Sequence, residues 1–408
     1  MKKIISILLI AVLTITLFAG CSGSGAKDNE DTKGTESQKE EQVKGEKDEK
    51  TEDVIKIGIN YELSGPAATY GQGSVEGIKL AVDKINSEGG INGKKIVLVE
   101  YDNKSEPAEA TALSTRLMTK DNVLAVIGPA TTGCFKATIP EAIKHKVSVI
   151  SGSATADDVT ADASGVKEYA FRICFSDSYQ GTAMANFALN NLSAKKAVII
   201  MDSASDYAKG LAENFTKTFE AGGGSVVTRE AYVAGDKDFN SIITKIKGQQ
   251  FDVIFVPGYY EEAGLIIKQA RAQGINVPIL GADGFDSPVL LDLAGAEALN
   301  DIYFSNHYSS LDESNVVKDF IEEFKAKYNK EPDAFNALGY DAAMFVADGI
   351  RRAAALNGES IKDALEKTTN FEGVTGTISI DENHNAVKKL VVIKLANGKQ
   401  DSVIRAGE

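Results

Sequence analysis

Two short runs carry residue types that could do chemistry. Ile127-Gly128-Pro129-Ala130-Thr131-Thr132-Gly133 and Ser151-Gly152-Ser153-Ala154-Thr155 each follow a hydrophobic stretch, and the first leads into a helical pattern. In an open α/β sheet, ligands bind outside the carboxyl ends of the strands. Free backbone N–H groups at a helix N-terminus, with Ser or Thr hydroxyls beside them, suit a carboxylate. Taken alone, the same residues also fit ordinary polar loops between strand and helix.

Catalysis finds less support. Histidine occurs only at His145, His307 and His384, which form no HExxH, and no cysteine pair has metal-ligand spacing, so neither a catalytic metal nor a cofactor is expected. Asp381, Asn383 and Asn385 mimic half of a calcium loop, but Ala386 replaces its turn glycine and Val392 its closing Glu, which leaves a hairpin turn. Gly71-Gln72-Gly73 follows the first strand, with Glu76 where a dinucleotide fingerprint has its third glycine. Neither GxSxG nor GxxxxGK occurs, and no nucleophile and base pair presents itself, so the chain is not expected to be an enzyme.

The elements that must position these loops follow from periodicity. Short runs rich in β-branched residues predict strands at 54–61, 95–101, 123–128 and 147–151. Helices are predicted between them at 75–87, 107–119 and 135–144; Ile78, Ala81, Val82 and Ile85 follow the i, i+3, i+4, i+7 rule. This βαβα order predicts a parallel sheet covered on both faces. A second set follows Arg172, with strands at 197–201, 225–231, 252–256 and 278–280 and helices at 181–192, 209–221, 239–247 and 262–273. A third section begins near Ile302, with helices at 316–328, 335–352 and 361–366 and strands at 377–380 and 390–395. It has too few strands for its own sheet and is expected to complete the first lobe. About 355 residues exceed one comfortable core, so two lobes are expected.

Ahead of this lies a leader: Lys2 and Lys3, an apolar run from Ile4 to Phe18, and small residues before Cys21. Phe18-Ala19-Gly20-Cys21 resembles a bacterial lipobox, with Phe where Leu is usual, and marks Cys21 as a lipid anchor outside the cytoplasmic membrane. Residues 22–53 hold six Lys against eleven Asp plus Glu, with Val43 the only sizeable apolar side chain, and read as a disordered tether. As a coil it spans roughly 30 Å. The full chain carries a formal net charge of −14, unfavourable for nucleic acid or an anionic membrane surface, so the membrane is expected to be met through the lipid alone. Cys134 and Cys174 are expected to be small buried side chains.

Further motifs sharpen the picture. Glu62-Leu63-Ser64-Gly65-Pro66 with Tyr70-Gly71, then Ile127-Gly128-Pro129, Ser153-Ala154-Thr155, Asp206-Tyr207-Ala208-Lys209-Gly210, Gly258-Tyr259-Tyr260 and Gln269-Ala270-Arg271 resemble the leucine/isoleucine/valine-binding proteins of ABC importers, from about Val54 to about Ile404. The resemblance implies a type I periplasmic-binding fold: two doubly wound parallel-sheet lobes closing like a flytrap, with three crossings near Ser176, Ser305 and Val391. On this reading residues 1–20 are the signal peptide and 21–53 the lipidated Cys and tether. Lobe 1 is 54–176 plus 306–390, and lobe 2 is 177–305 plus 391–408.

The resemblance also implies an extracytoplasmic, monomeric carrier that delivers Leu, Ile or Val to an ABC permease and its ATPase subunits. A ligand-presenting sensory subunit, or transport of another small amino acid or an amide, is the alternative. Carried over, the carboxylate contacts fall on the Thr132 hydroxyl and the Thr155 N–H. The ammonium contacts fall on the Ser153 carbonyl, the Thr155 hydroxyl and Asp283, Ala154 lies between them, and Tyr70, Tyr207, Tyr259 and Phe335 line the cleft. Tyr260 is out of register for lining. Familiar members have Glu at Asp283 and Ser at Thr132, and a disulfide of some members falls on Ser105 and Thr131.

Overall fold

The computed structural model describes residues 54–405. The predicted leader, the Cys21 anchor and the tether lie outside the described residues. The first part of the chain alternates β1 (Ile55–Tyr61), α1 (Ala68–Ser87), β2 (Ile96–Asp102), α2 (Pro107–Thr119), β3 (Ala125–Ile127), α3 (Thr132–His145) and β4 (Ser148–Ser151). A two-residue hairpin, β5 (Ala161–Asp162) and β6 (Gly165–Val166), precedes β7 (Ala170–Arg172). These strands form a five-stranded parallel sheet in the order β2-β1-β3-β4-β7. Strands β3, β4 and β7 are buried at every position, as expected for a parallel sheet covered on both faces.

The chain then runs through α4 (Asp177–Asn190), β8 (Lys196–Asp202), α5 (Asp206–Ala221), β9 (Ser225–Tyr232), α6 (Asn240–Lys247), β10 (Val253–Phe255), α7 (Tyr260–Ala272), β11 (Ile279–Gly281), α8 (Pro288–Ala294) and β12 (Ile302–Asn306). Next come α9 (Asn315–Tyr328), α10 (Ala334–Arg352), α11 (Gly358–Glu366), β13 (Phe371–Gly373), β14 (Gly376–Ile380), β15 (Ala386–Val387), β16 (Val391–Ala396) and β17 (Lys399–Arg405). The second sheet is seven-stranded, β17-β16-β12-β11-β10-β8-β9. It is parallel except at one edge, where β16 runs antiparallel to β12 and β17 antiparallel to β16. The chain passes between the sheets after Arg172, after Asn306 and between Val387 and Val391.

Helix α10 of the third section packs along α1 of the first, so the late helices cover the early sheet. Helix α1 begins at Ala68, seven residues before the predicted start. Gly71, which reads as loop, lies inside it, and there as at Gly77 neighbouring backbone comes too close for a side chain. A Cβ on Gly71 would lie 2.0 Å from Glu62 O, and one on Gly77 would lie 1.9 Å from Asn336 O. Strand β17 and helix α8 have no counterpart in the sequence reading.

Candidate functional site

One wall of the cleft is built from the carboxyl ends of β1, β3 and β4. Glu62, at the end of β1, is fully buried and turns its carboxylate under the β3–α3 loop, accepting from Ala130 N (2.9 Å), Thr131 N (3.0 Å) and Thr131 Oγ1 (2.7 Å). Gly128 has φ +98°, and a Cβ there would lie 2.3 Å from Asn60 O, so the loop's tight path requires glycine. Ser151 Oγ donates to Pro129 O (2.7 Å) and accepts from Ala154 N (2.9 Å), while Ser153 Oγ donates to Ala130 O (2.9 Å). The two loops singled out in the sequence are thus tied to each other. Arg172 donates from below to Thr155 O and Ala156 O.

The facing wall comes from the carboxyl ends of β8, β10 and β11. Tyr207 sits in the first turn of α5, Tyr259 caps α7, and Asp283 follows β11. Tyr207 Oη donates to Asp283 Oδ1 at 2.8 Å, and burial beside this acid pushes the phenol well above its ordinary pKa, so it stays a donor. Asp283 N donates to Gln180 Oε1 (3.2 Å).

Between the walls Tyr70 stacks on Phe335 (4.2 Å between centroids), meets Tyr259 edge-on (5.5 Å), and Tyr259 stacks on Tyr207 (5.2 Å). These rings, with Ala130, Thr131, Thr132, Ser153, Asp283 and Gly284, line a cavity of about 10 Å³, space for about one water molecule. Tyr70 Oη donates to Gly284 O across the cleft, and Tyr260 Oη to Pro66 O at 2.7 Å. At the lip Lys136 bridges Asp158 (2.7 Å) and Asp206 (2.9 Å). A wider groove at the amino-terminal end of the second sheet, lined by Lys195, Lys196 and Lys247, is open to solvent and has no buried polar side chain.

Of the residues picked from sequence, Tyr70, Thr132, Ser153, Tyr207, Tyr259, Asp283 and Phe335 meet at this cavity. Ala154 and Thr155 lie fully buried behind it; the Ala154 carbonyl accepts from Cys174 Sγ. Tyr260 contacts Tyr70 edge-on rather than lining the space. Sequence reasoning missed a buried polar cluster beneath Asp283. Both carboxylate oxygens of Asp177, Thr155 Oγ1, Gln180 Nε2 and His307 Nδ1 are buried without a hydrogen-bond partner. Burial pushes Asp177 well above the ordinary carboxylate range, with the nearby Thr155 hydroxyl opposing the shift. Its position directly after the cap Ser176 reads as a helix-dipole residue, which hides it. Glu62 belongs to the first motif of the resemblance, and its place at the end of the central strand β1 is the sequence signal of its role.

Comparison with known proteins agrees with this arrangement. Residues 54–400 match the model of a family described as periplasmic binding protein. The isoleucine complex of the branched-chain amino acid transporter substrate-binding protein LivJ from Streptococcus pneumoniae is 46% identical, with a TM-score of 0.82 over 86% of this chain and 99% of that one. The leucine-binding protein LivK of Thermotoga maritima is 37% identical, with a TM-score of 0.80 over the same shares. A leucine-, isoleucine-, valine-, threonine- and alanine-binding protein of Pseudomonas aeruginosa is 31% identical over 334 residues, 81% of this chain and 86% of that protein.

Proposed function

The chain belongs to the periplasmic binding protein family, and we propose that it binds branched-chain amino acids in the cleft between its two sheets and delivers them to an ABC permease. Its fold is the type I periplasmic-binding fold. The observation that carries the ligand class is the pairing of wall chemistries. Hydroxyls and the start of α3 on one side suit a carboxylate, and Asp283, backed by Asp177, on the other suits an ammonium. A zwitterion taken out of water needs both charges met, and each charge-assisted hydrogen bond contributes about 1.5–3 kcal/mol. The aromatic rings then bury an aliphatic side chain at about 0.8 kcal/mol per methylene, too small an increment to separate Leu, Ile and Val sharply.

The cavity is narrower than an amino acid, so loading requires the lobes to part and the rings to swing aside. We assign 54–176 plus 306–390 to one moving lobe and 177–305 plus 391–408 to the other. The chain performs no reaction; ATP hydrolysis falls to the transporter subunits. Cys21 carries the lipid that tethers the monomer to the outer face of the membrane. Calorimetric titration of the chain from Val54, unfolded and refolded to remove carried-over solute, tests the ligand. Micromolar or tighter binding of Leu, Ile and Val is expected; silence toward them with heat from Ala, Thr or an amide overturns the assignment.

A further inference from the structure

His307 stands just beyond the end of β12, on the second passage between the sheets, and its side chain is fully buried. Its ring stacks on Phe175 of the first passage, 3.6 Å between centroids and 16° between planes. Nε2 lies 3.3 Å from Asp283 Oδ2, and Nδ1 has no partner. A neutral imidazole has one donor and one acceptor nitrogen. With the proton on Nε2 the ring donates to the carboxylate and leaves only a bare acceptor unmet. With the proton on Nδ1 a donor would be buried unpaired while two lone-pair atoms faced each other, which is costly. Burial pushes His307 down to about 4, with Asp283 opposing and the buried Lys388 of the third passage reinforcing the shift, so the ring is neutral at physiological pH.

We propose that His307 is a positioning residue for the ammonium-binding carboxylate: neutral, it donates Nε2–H to Asp283 Oδ2 and, with Tyr207 on Oδ1, locks that side chain in the orientation a bound cation needs. This rests on the ligand class proposed above. Both oxygens of Asp283 are then oriented by protein donors that carry no charge, so the site keeps a full negative charge for the ligand. Lys388, a buried cation of the third passage, is held on Thr375 Oγ1 and faces Asp341, while Asp177 faces Asp283 from α4. Because the donor sits on a chain passage and stacks on another, the carboxylate is referenced to the pivot rather than to the lobe that carries it.

The test begins with the wild-type chain. Long-range nitrogen–proton spectra of the imidazoles, with His145 and His384 as the other two signals, should show His307 as the neutral Nε2–H form throughout pH 5.5–8; an Nδ1–H form overturns the proposal. H307F keeps a ring on Phe175 and removes the donor, and H307Q restores a donor. Leucine affinity should fall about 10-fold or more in H307F and recover to within about 3-fold in H307Q. Rescue by the amide donor separates positioning from packing: a merely structural role of the ring would leave H307F near wild type and H307Q impaired, and wild-type affinity in H307F, or no recovery in a folded H307Q, overturns the proposal. If neither variant folds, the wild-type spectrum decides. If the wild type itself ignores leucine, the ligand assignment fails while the spectrum still judges the His307–Asp283 contact.

Discussion

The two walls of the cleft solve opposite problems. On the first, the loops are tied to one another and the Thr155 hydroxyl alone of their site residues stays unpaired: Glu62 takes the Ala130 and Thr131 amides, Ser151 takes Pro129 and Ala154, and Ser153 takes Ala130. On the second, Asp177 keeps both oxygens unpaired and Gln180 an amide nitrogen, all out of reach of solvent. The anion-facing wall is therefore a finished scaffold whose shape exists before a guest arrives. The second wall keeps buried polar atoms unmet, and on the ligand reading proposed above an ammonium would face them. Affinity should draw more on the second wall, and geometric selectivity more on the first.

Substitutions can break this asymmetry, and removing the charge that faces the ligand should have the largest effect. Asp283→Ala should preserve the fold and weaken leucine binding at least about 10-fold, because the ammonium would be buried without its partner; unchanged affinity in a titration would remove Asp283 from the site. Asp177→Asn should follow, with a loss of about 5-fold and a second signature. The carboxyl of Asp177 is raised in the closed protein, so it holds a proton above the ordinary carboxylate range and gives it up when a cation binds. Leucine binding should therefore release protons, tighten as pH rises through that window, and show heats that differ between phosphate and Tris buffers; the Asn variant should lose this dependence. The same sign makes the variant more stable than wild type when unliganded at neutral pH, since the unfolded chain no longer gains by ionising there.

On the first wall, Thr132→Val keeps shape and deletes the hydroxyl, for which about a 3- to 5-fold loss is expected, the scaffold around it being tied independently. Lys136→Met should matter least. The bridge to Asp158 and Asp206 lies at the exposed lip, so an effect of about 2-fold that vanishes in molar salt is expected by calorimetry at two ionic strengths.

How far these contrasts could be read from the chain depends on the scale of the signal. Alternating apolar strands and amphipathic helices announced both sheets, because parallel strands buried on two faces leave a strong hydrophobic pattern. The early start of α1 escaped because Gly71, which serves close backbone approach to Glu62, scores as loop by local propensity. Strand β17, Lys399–Arg405, is mostly polar at the edge of its sheet and owes its place to pairing with β16. At the site, hydroxyl loops and aromatic positions were visible through order and spacing. Glu62, Asp177, Gln180 and His307 were not, since each resembles an ordinary polar residue until the fold brings Glu62 under the β3–α3 loop and the other three close to Asp283.

The contact of α1 with α10 bears on the order in which the molecule can assemble. Gly77 and Asn336 touch backbone to backbone across some 260 positions of chain, and the same helix pair closes one face of the first sheet. That sheet's own strands are complete by Arg172, yet its covering stays unfinished until Arg352 is available. A polypeptide growing from its N-terminus would thus keep part of the first sheet uncapped until α10 is available. Contacts so distant in sequence delay folding, and here they tie the covering of the first sheet to residues near the end of the chain.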